Sequence, residues 1–221
     1  MKQFKIYAKD DVATIYVYEE IGEWGVTGKA FAEQMQGLAK AQRINVRINS
    51  PGGDVFDGLA MFNLLNRHGG EVTVDVDGWA ASAASVVAMA GRPLNMAANS
   101  FLLIHPPWTV AGGNAGDFRR AADQLEAVGD KLVSTYAESR GVDRDTVADW
   151  VASETMFSAD EAVAAGMADA VTGESAIAAK ADFSECRYVP DSVKRVTGKR
   201  ENWQDFAAAH RQRQIQLARG M

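Results

Sequence analysis

Strand-like and helix-like segments alternate along the first 172 residues, and this alternation restricts the fold more than any other feature. Residues 14–18 are β-branched and aromatic, as strands are. Residues 28–40 then place apolar side chains at helical spacing. Residues 44–48 alternate apolar and polar before a Pro-Gly-Gly turn, and a helical stripe follows the turn. Strands that alternate with helices in this way favour an α/β fold with parallel pairing.

The alternation continues through the second half of this region. Residues 72–76 predict a strand that ends at Gly78, and Ala80–Ala90 is an alanine-rich candidate helix. Residues 101–105 form a continuous apolar strand of the type that is buried on both faces. The pattern therefore predicts a second strand-helix unit followed by a further buried strand.

Three more helices are predicted before residue 172. Residues 117–140 favour one long helix closed by Gly141 at its C′ position, and it is longer than the core of a domain this size requires. A shorter helix is predicted at 144–153. Another opens at Ser158, where Glu161 stands three residues later and completes a capping box.

Charge divides the chain into an acidic body and a basic end. Residues 183–221 carry eight Lys and Arg against four Asp and Glu, a net charge of +4, whereas the remainder carries −10. An acidic body is a poor nucleic-acid surface, because phosphate binding needs clustered cations. We predict a folded domain at 1–172 and a basic extension at 173–221, partly helical or flexible, with a candidate helix at 200–218.

Residue usage excludes several other classes of protein. No apolar run approaches the ~20 residues that span a bilayer, and the first residues contain no apolar signal segment, so a cytoplasmic location is predicted. Cys186 is the only cysteine and the chain has three histidines, which disfavours disulfides and multi-histidine zinc sites. No metal and no organic cofactor is expected.

Ser82 is the first candidate for chemistry. It stands at a predicted strand-to-helix junction, among small neighbours that let a substrate backbone approach. Amides at a helix N-terminus favour a developing oxyanion. An ordinary N-cap serine explains the same local sequence, and Ser85, one turn later, is interpreted as a packing residue.

A serine nucleophile needs a base, because a free hydroxyl hardly ionises at neutral pH. His105 ends a buried strand, whereas His68 lies next to a Gly-Gly turn and His210 lies in the basic end. A lysine base is disfavoured, since no lysine occurs between Lys40 and Lys131. For His105 the alternative is a core histidine whose ring is satisfied by hydrogen bonds.

Gly52 and Gly53 supply a third element. They follow the strand at 44–48 and leave backbone amides uncovered, as a second oxyanion donor or a substrate-binding edge requires. The alternative is a plain Pro-Gly-Gly turn, which is common in proteins.

Four segments together carry a family resemblance that covers roughly residues 12–172. In order they are Ile-Asn-Ser-Pro-Gly-Gly at 48–53, Gly-Trp-Ala-Ala-Ser at 78–82, Ile-His-Pro-Pro at 104–107 and Phe-Ser-Ala-Asp-Glu-Ala at 157–162. This set resembles the ClpP family of serine peptidases, peptidase S14. Residues 55–60 and 80–85 are most similar to its phage and prophage branch, the head maturation proteases.

The resemblance implies an α/β fold of crotonase-like stacked ββα units, with a long projecting helix that joins two rings. It implies Ser82 as the nucleophile and His105 as the general base. It also implies that the amides of Gly53 and Ala83 form the oxyanion hole. We expect the substrate to lie extended along Gly52 and along the loop that contains Gly112 and Gly113.

The third catalytic residue is where this sequence departs from the family. The family has an aspartate shortly before the Phe-Ser-Ala stretch, and an ungapped comparison puts Glu154 there. A glutamate can orient a histidine, although its extra methylene moves the carboxylate by about 1 Å. Glu154 is therefore the predicted third residue, with Asp149 and Asp160 as alternatives.

The resemblance predicts a serine endopeptidase that works through an acyl-enzyme, in a bacterial or phage-infected cytoplasm, on capsid or scaffold polypeptides. A homo-oligomeric ring is expected, heptameric or stacked. Housekeeping relatives have a longer N-terminal segment that meets an ATPase, whereas the first strand predicted here begins near residue 14. An ATPase unfoldase partner is therefore not predicted, and neither is a membrane or nucleic-acid partner.

Two other functions are compatible with these features. A crotonase-like acyl-CoA enzyme also uses backbone amides for an oxyanion but needs no nucleophilic serine. An inactive scaffold or shell component keeps the fold and lacks the activity. A fluorophosphonate probe separates both from a peptidase, because it labels only an activated serine.

Overall fold

The computed structural model describes residues 6–9 and 11–173, which fall within one compact unit. The strands described are β1 Ile6–Lys9, β2 Val12–Val17, β3 Arg43–Ser50, β4 Glu71–Ala81, β5 Leu94–Ala97, β6 Phe101–Leu103, β7 Met156–Ser158 and β8 Ala170–Thr172. The helices described are α1 Gly28–Gly37, α2 Val55–Asn66, α3 Ala83–Ala88, α4 Ala115–Arg140, α5 Arg144–Ala152 and α6 Ala159–Ala164. The α/β alternation predicted from the sequence is confirmed.

The strands form one sheet in the order β1-β2-β3-β4-β5-β8. Neighbours from β2 to β8 along this order are parallel, and only the edge strand β1 pairs antiparallel among them. Ile15, Val46 and Val74 occupy matching register positions on β2, β3 and β4, and all three are fully buried. This face of the sheet is the centre of the apolar core, and its burial is the main stabilising contribution.

Strand β4 is the branch point of the sheet. Its first half pairs with β5 at Val74–Val76, and its last residues, 79–81, pair in parallel with β6. Strand β7 then pairs antiparallel with β6. The carboxyl end of β4 therefore lies beside the carboxyl end of β6.

The sequence-based boundary between β4 and α3 was wrong. The strand does not end at Gly78 but continues to Ala81, and the helix covers only Ala83–Ala88. The ladder to β6 holds Ala80 and Ala81 extended against their own helix propensity. A Cβ on Gly78 would lie 2.4 Å from the Asn49 side-chain oxygen, so the glycine here allows close packing rather than a turn.

Helix α4 confirms the predicted long helix. Its 26 residues span about 39 Å, and it begins with a capping box between Asn114 and Asp117. It ends at Gly141, whose φ is 66°. The buried residues all lie in its last third: Leu132, Val133, Tyr136 and Ala137. The first two thirds of α4 are therefore largely exposed in this chain.

Other parts of the sequence-based description need correction or lie outside the described residues. The first strand begins at Ile6 rather than near residue 14, and the short strands β5, β7 and β8 were not predicted. The extension beyond residue 173, with its candidate helix at 200–218 and with His210, lies outside the described residues. Within the part of the chain that is described, no helix is both long and apolar enough to cross a membrane.

Candidate active site

Ser82 joins the end of β4 to the start of α3. Its backbone has φ 55° and ψ −126°, a conformation that costs a non-glycine residue about 1–3 kcal/mol and recurs at functional sites. The Ser82 amide donates to the Leu103 carbonyl on β6 at 3.0 Å. The side chain occupies the N-cap position but makes no capping hydrogen bond to α3. The ordinary N-cap explanation for this serine is therefore not supported.

Gly52 packs directly against this serine. Its φ is 83°, and a Cβ on it would lie 2.3 Å from the Ala81 carbonyl oxygen and 2.8 Å from both the Ser82 Cβ and the Ala83 nitrogen. Only glycine lets the β3–α2 turn approach the backbone of Ser82 so closely. The turn at Gly52 and the junction at Ser82 and Ala83 therefore form one contiguous site.

Gly53 is also required to be glycine. Its φ is 142°, and a Cβ on it would lie 2.0 Å from the Ile21 carbonyl oxygen. Ile21 brackets the turn, since its amide donates to the Gly52 carbonyl and its carbonyl accepts from the Asp54 amide, both at 2.8 Å. The two glycines are thus held between β4 and the loop that contains Ile21.

Ser50 has a structural role that the sequence did not reveal. It is fully buried, and its hydroxyl donates to the Glu19 carbonyl at 2.6 Å. The same oxygen accepts from the Gly52 amide at 3.2 Å. Gly52 therefore has both its N–H and its C=O engaged within the chain, while its predicted contact with substrate stays a prediction.

The strand pairing brings the neighbourhood of Glu154 to that of His105. Leu103 on β6 pairs with Met156 on β7, and the Ile104 amide donates to the Thr155 carbonyl at 3.0 Å. When this antiparallel register is extended by one residue, Glu154 stands opposite His105. On the other side of β6, the Ser82 amide is hydrogen-bonded to the Leu103 carbonyl. The three residues predicted to form the triad therefore lie at the ends of adjacent strands.

The ring of His105 is oriented by its own main chain. Its Nδ1 lies 2.7 Å from the Pro106 carbonyl oxygen, and the side chain is half-buried. A carbonyl can only accept, so Nδ1 carries the proton in this contact, and in the neutral ring Nε2 is then the basic nitrogen. This tautomer is the one that a general base acting through Nε2 requires.

Both ring nitrogens of His68 contact the backbone of the fold. Its Nδ1 accepts from the Gly70 amide at 3.1 Å, and its Nε2 lies 3.1 Å from the Leu38 carbonyl oxygen. This is a structural histidine that ties the turn before β4 to the end of α1. Of the two histidines described, His105 is the better candidate for a base.

Glu154 lies in a tight turn between α5 and β7. Its φ is 49°, and its amide donates to the Val151 carbonyl at 3.0 Å. The side chain is half-buried, whereas the alternatives Asp149 and Asp160 are exposed residues within α5 and α6. Among the three carboxylates considered, the strand register favours Glu154.

The loop with Gly112 and Gly113 has a different position. It is exposed and lies immediately before the Asn114 cap of α4, and the atoms nearest to a Cβ on Gly113 belong to Asp117. No strand forms there in the described structure. The predicted substrate contact of this loop therefore stays a prediction.

Ser85 and Tyr136 also belong to the surroundings of the site. Ser85 is fully buried, its hydroxyl donates to the Ser82 carbonyl at 2.6 Å, and it lies 2.8 Å from the Tyr136 hydroxyl. Burial raises the pKa of Tyr136, and the hydrogen bond with Ser85 opposes this only in part. The two residues are 51 positions apart, so no local pattern in the sequence indicates the contact.

Comparison with known proteins points to one family. A family model described as Clp protease matches residues 4–175. An ATP-dependent Clp protease proteolytic subunit of Leuconostoc citreum is 33% identical over 138 residues, which are 61% of this chain and 69% of that protein. An ATP-dependent Clp protease proteolytic subunit 1 of Synechococcus sp. is 31% identical over 140 residues, 62% and 71% of the two chains.

The family match includes both the β3–β4 unit that carries Gly52 and Ser82 and the β6–β7 pair next to His105 and Glu154. It extends over most of the chain and agrees with the resemblance noted in the sequence. The chain belongs to the Clp protease family.

Proposed function

We propose that this chain, a serine peptidase of the Clp type, hydrolyses polypeptides through an acyl-enzyme formed on Ser82. The strained backbone of Ser82, with an uncapped side chain next to a glycine turn, is the observation that carries the proposal. A structural serine gains nothing from that conformation. A nucleophile benefits, because its hydroxyl is held at a junction that a substrate carbonyl can approach.

In the proposed reaction, the Ser82 Oγ attacks the scissile carbonyl while Nε2 of His105 takes its proton. Glu154 stabilises the imidazolium that forms. The amides of Gly53 and Ala83 donate to the oxyanion, and a donor of this kind contributes about 3–4 kcal/mol to the transition state. His105 then protonates the leaving amine, and water releases the acyl-enzyme. The reaction as proposed uses no metal ion and no organic cofactor.

The tautomer of His105 and the register of β6 and β7 support these assignments. The Pro106 carbonyl holds the proton of the neutral ring on Nδ1, which leaves Nε2 as the atom that receives the serine proton. The backbone of Glu154 stands opposite His105 when the β6–β7 register is extended by one residue, and its carboxylate is proposed to stabilise the positive charge that develops on the ring.

The proposal is tested by labelling the purified protein with a fluorophosphonate and identifying the modified peptide by mass spectrometry. We expect the label on Ser82, and Ser82→Ala should lower peptide turnover by on the order of 10⁶-fold. Ser134→Ala on α4 is the matched control and should label like the wild type, since its hydroxyl bonds only locally to the Asp130 carbonyl. An unlabelled wild type would exclude the peptidase and would favour a shell component or an acyl-CoA enzyme.

The same assay tests the third residue of the proposed triad. Glu154→Gln keeps the size of the side chain and removes its charge, so labelling should slow by on the order of 10²- to 10⁴-fold. Asp149→Asn and Asp160→Asn are the matched controls. If one of these two slows labelling and Glu154→Gln does not, the assignment of Glu154 is wrong.

We further propose that the substrate is a capsid or scaffold polypeptide of a phage or prophage, and that the enzyme acts as a homo-oligomeric ring. Residues 55–60 and 80–85 support this, because they are most similar to the head-maturation branch. The test is to incubate the protein with the head proteins of the phage or prophage that encodes it. Cleavage by the wild type and not by Ser82→Ala is expected, and intact head proteins with active, labelled enzyme would contradict this substrate.

A further inference from the structure

Two buried hydroxyls connect the turn of the nucleophile to the long helix. Tyr136 on α4 and Ser85 on α3 are both buried, with their oxygens 2.8 Å apart. The Ser85 hydroxyl also donates to the Ser82 carbonyl at 2.6 Å, and the Ser85 amide reaches the same carbonyl at 2.9 Å. We call this chain from Tyr136 through Ser85 to the Ser82 carbonyl the hydroxyl relay.

The direction of each hydrogen bond in the relay follows from the number of protons. A carbonyl can only accept, so the single hydroxyl hydrogen of Ser85 is used on Ser82. Tyr136 must therefore donate to the Ser85 oxygen. Burial raises the pKa of Tyr136, so the phenol is protonated and able to donate at neutral pH.

The carbonyl that receives this relay belongs to the same peptide unit as the Ala83 amide. A trans peptide is planar, so its C=O and N–H point in opposite directions and rotate together. Two hydrogen bonds on the Ser82 carbonyl therefore fix where the Ala83 N–H points. The position of that amide relative to Ser82 is the geometric requirement for an oxyanion donor.

We infer that Tyr136 is a positioning residue for catalysis: through Ser85 it holds the Ser82–Ala83 peptide so that the Ala83 amide faces the oxyanion. This inference rests on the proposed function, since it needs Ser82 as the nucleophile and Ala83 as a donor. It also means that the exposed helix α4 reaches the reaction centre from its buried end. Any shift of α4 at Tyr136 is transmitted to the oxyanion donor.

A purely structural role makes a different prediction. Ser and Thr hydroxyls often bond a carbonyl three or four residues back in a helix without functional consequence. In that case removal of the relay lowers stability and leaves the rate per folded active site unchanged. A positioning role instead lowers the rate at each intact site, chiefly in kcat, because the oxyanion forms in the transition state and not on substrate binding.

The experiment is a double-mutant cycle with Tyr136→Phe, Ser85→Ala and the combined variant. Active sites are titrated with a fluorophosphonate, and kcat and KM for a peptide are measured per active site, together with Tm. We expect each single variant to lower kcat about tenfold with little change in KM. Tyr18→Phe is the matched control, because it removes a tyrosine hydroxyl that donates to Asp77 elsewhere on the sheet.

The combined variant separates the two roles most sharply. Since Tyr136 acts only through Ser85, its hydroxyl contributes nothing to rate once Ser85 is alanine, so the double variant should have the kcat of Ser85→Ala. Its Tm should nevertheless exceed that of Ser85→Ala, which leaves the buried Tyr136 hydroxyl without its acceptor. From Ser85→Ala to the double variant, kcat then stays the same while Tm rises. A purely structural role does not produce this difference.

Two results would overturn the inference: wild-type kcat per active site in Tyr136→Phe, or fully additive losses of kcat in the double variant. If Tyr136→Phe assembles poorly, wild-type kcat per active site in Ser85→Ala overturns the inference on its own, because Tyr136 reaches the Ser82 carbonyl only through Ser85. Failure of the proposed function gives a different result: if Ser82 of the wild type is not labelled, Ser82 is not the nucleophile. If the wild type is labelled on Ser82 but Tyr136→Phe and Ser85→Ala keep the wild-type kcat, only the inference about Tyr136 is wrong.

Discussion

Gly52 shows how one missing side chain determines the geometry of the site. The three atoms nearest to a Cβ at this position are the Ala81 oxygen, the Ala83 nitrogen and the Ser82 Cβ, all on the junction that carries the proposed nucleophile. Two of these are backbone atoms held by the ladder to β6 and by α3, so they cannot move aside cheaply. Gly52→Ala must therefore shift either the turn or Ser82.

We expect Gly52→Ala to slow fluorophosphonate labelling by about 10²-fold, the size of loss that a displacement of about 1 Å can cause. Thermal unfolding should show a lower Tm as well, because alanine is strained at a φ of 83°. Gly37→Ala at the end of α1 is the matched control, since nothing lies within 4 Å of its Cβ. Labelling of Gly52→Ala at the wild-type rate would show that the turn does not position Ser82, the proposed nucleophile.

At the scale of the elements, the sequence predicted what local pattern determines. The long elements β3, α2 and α4 were found, and so was the capping box of α6 between Ser158 and Glu161. Strands β5, β7 and β8 were missed because three or four residues carry too little periodicity. The end of β4 was misplaced because its conformation depends on β6, twenty residues later.

In the site, too, local motifs could be recognised from the sequence, whereas contacts between distant segments could not. Ser82, Gly52 and Gly53 stand in short motifs whose residue types indicate the proposed chemistry, so the sequence was sufficient to make them candidates. The link from Tyr136 to Ser85 depends on how α4 packs on α3, and the sequence contains no local sign of it. The structural role of the buried Ser50 could not be predicted for the same reason, since its partner Glu19 lies 31 residues away.

Asp169 connects three elements at the far end of α4. One carboxylate oxygen accepts from the Leu94 amide of β5, and the other accepts from Arg140 of α4, both at 2.7 Å. Burial alone would raise the pKa of Asp169, but the hydrogen bond from Arg140 and the Leu94 amide outweigh it, so the pKa is lowered. The carboxylate therefore stabilises the fold above its unfolded pKa, and this contribution is lost as the pH falls through the lower folded value.

We expect Asp169→Asn to lower the free energy of unfolding by about 1 kcal/mol at pH 7. The figure is small because 44% of the Asp169 side chain is exposed, although that of Arg140 is 6% exposed. Urea unfolding of both proteins at neutral pH and below about pH 4 tests this, and the difference should shrink in acid. Glu138→Gln is the control on the same helix, and an equal difference at both pH values would contradict the assignment.

At the scale of the whole molecule, the first two thirds of α4 are the feature that a single chain does not explain. Phe118 on this part of the helix is 52% exposed, and Val110 in the preceding loop is 57% exposed. Exposed large apolar residues on an isolated helix are typical of surfaces that another protein covers. A second copy is the occupant that the proposed ring requires, because symmetric assembly places the same helix of each subunit against a neighbour.

We expect the wild type to be a homo-oligomer at micromolar concentration and Phe118→Glu to dissociate at least in part, because it puts a charge into an apolar contact. Light scattering coupled to size exclusion measures this directly, with Glu126→Gln as the control on the same exposed stretch. The Tm of the dissociated subunit need not change much, since Phe118 lies far along α4 from its buried residues, Leu132 to Ala137. Fluorophosphonate labelling of the same samples shows whether assembly also affects the reactivity of Ser82. The hydroxyl relay predicts such an effect if contacts along α4 help to position Tyr136. A monomeric wild type would contradict the ring and leave the chemistry at Ser82 to be judged by labelling alone.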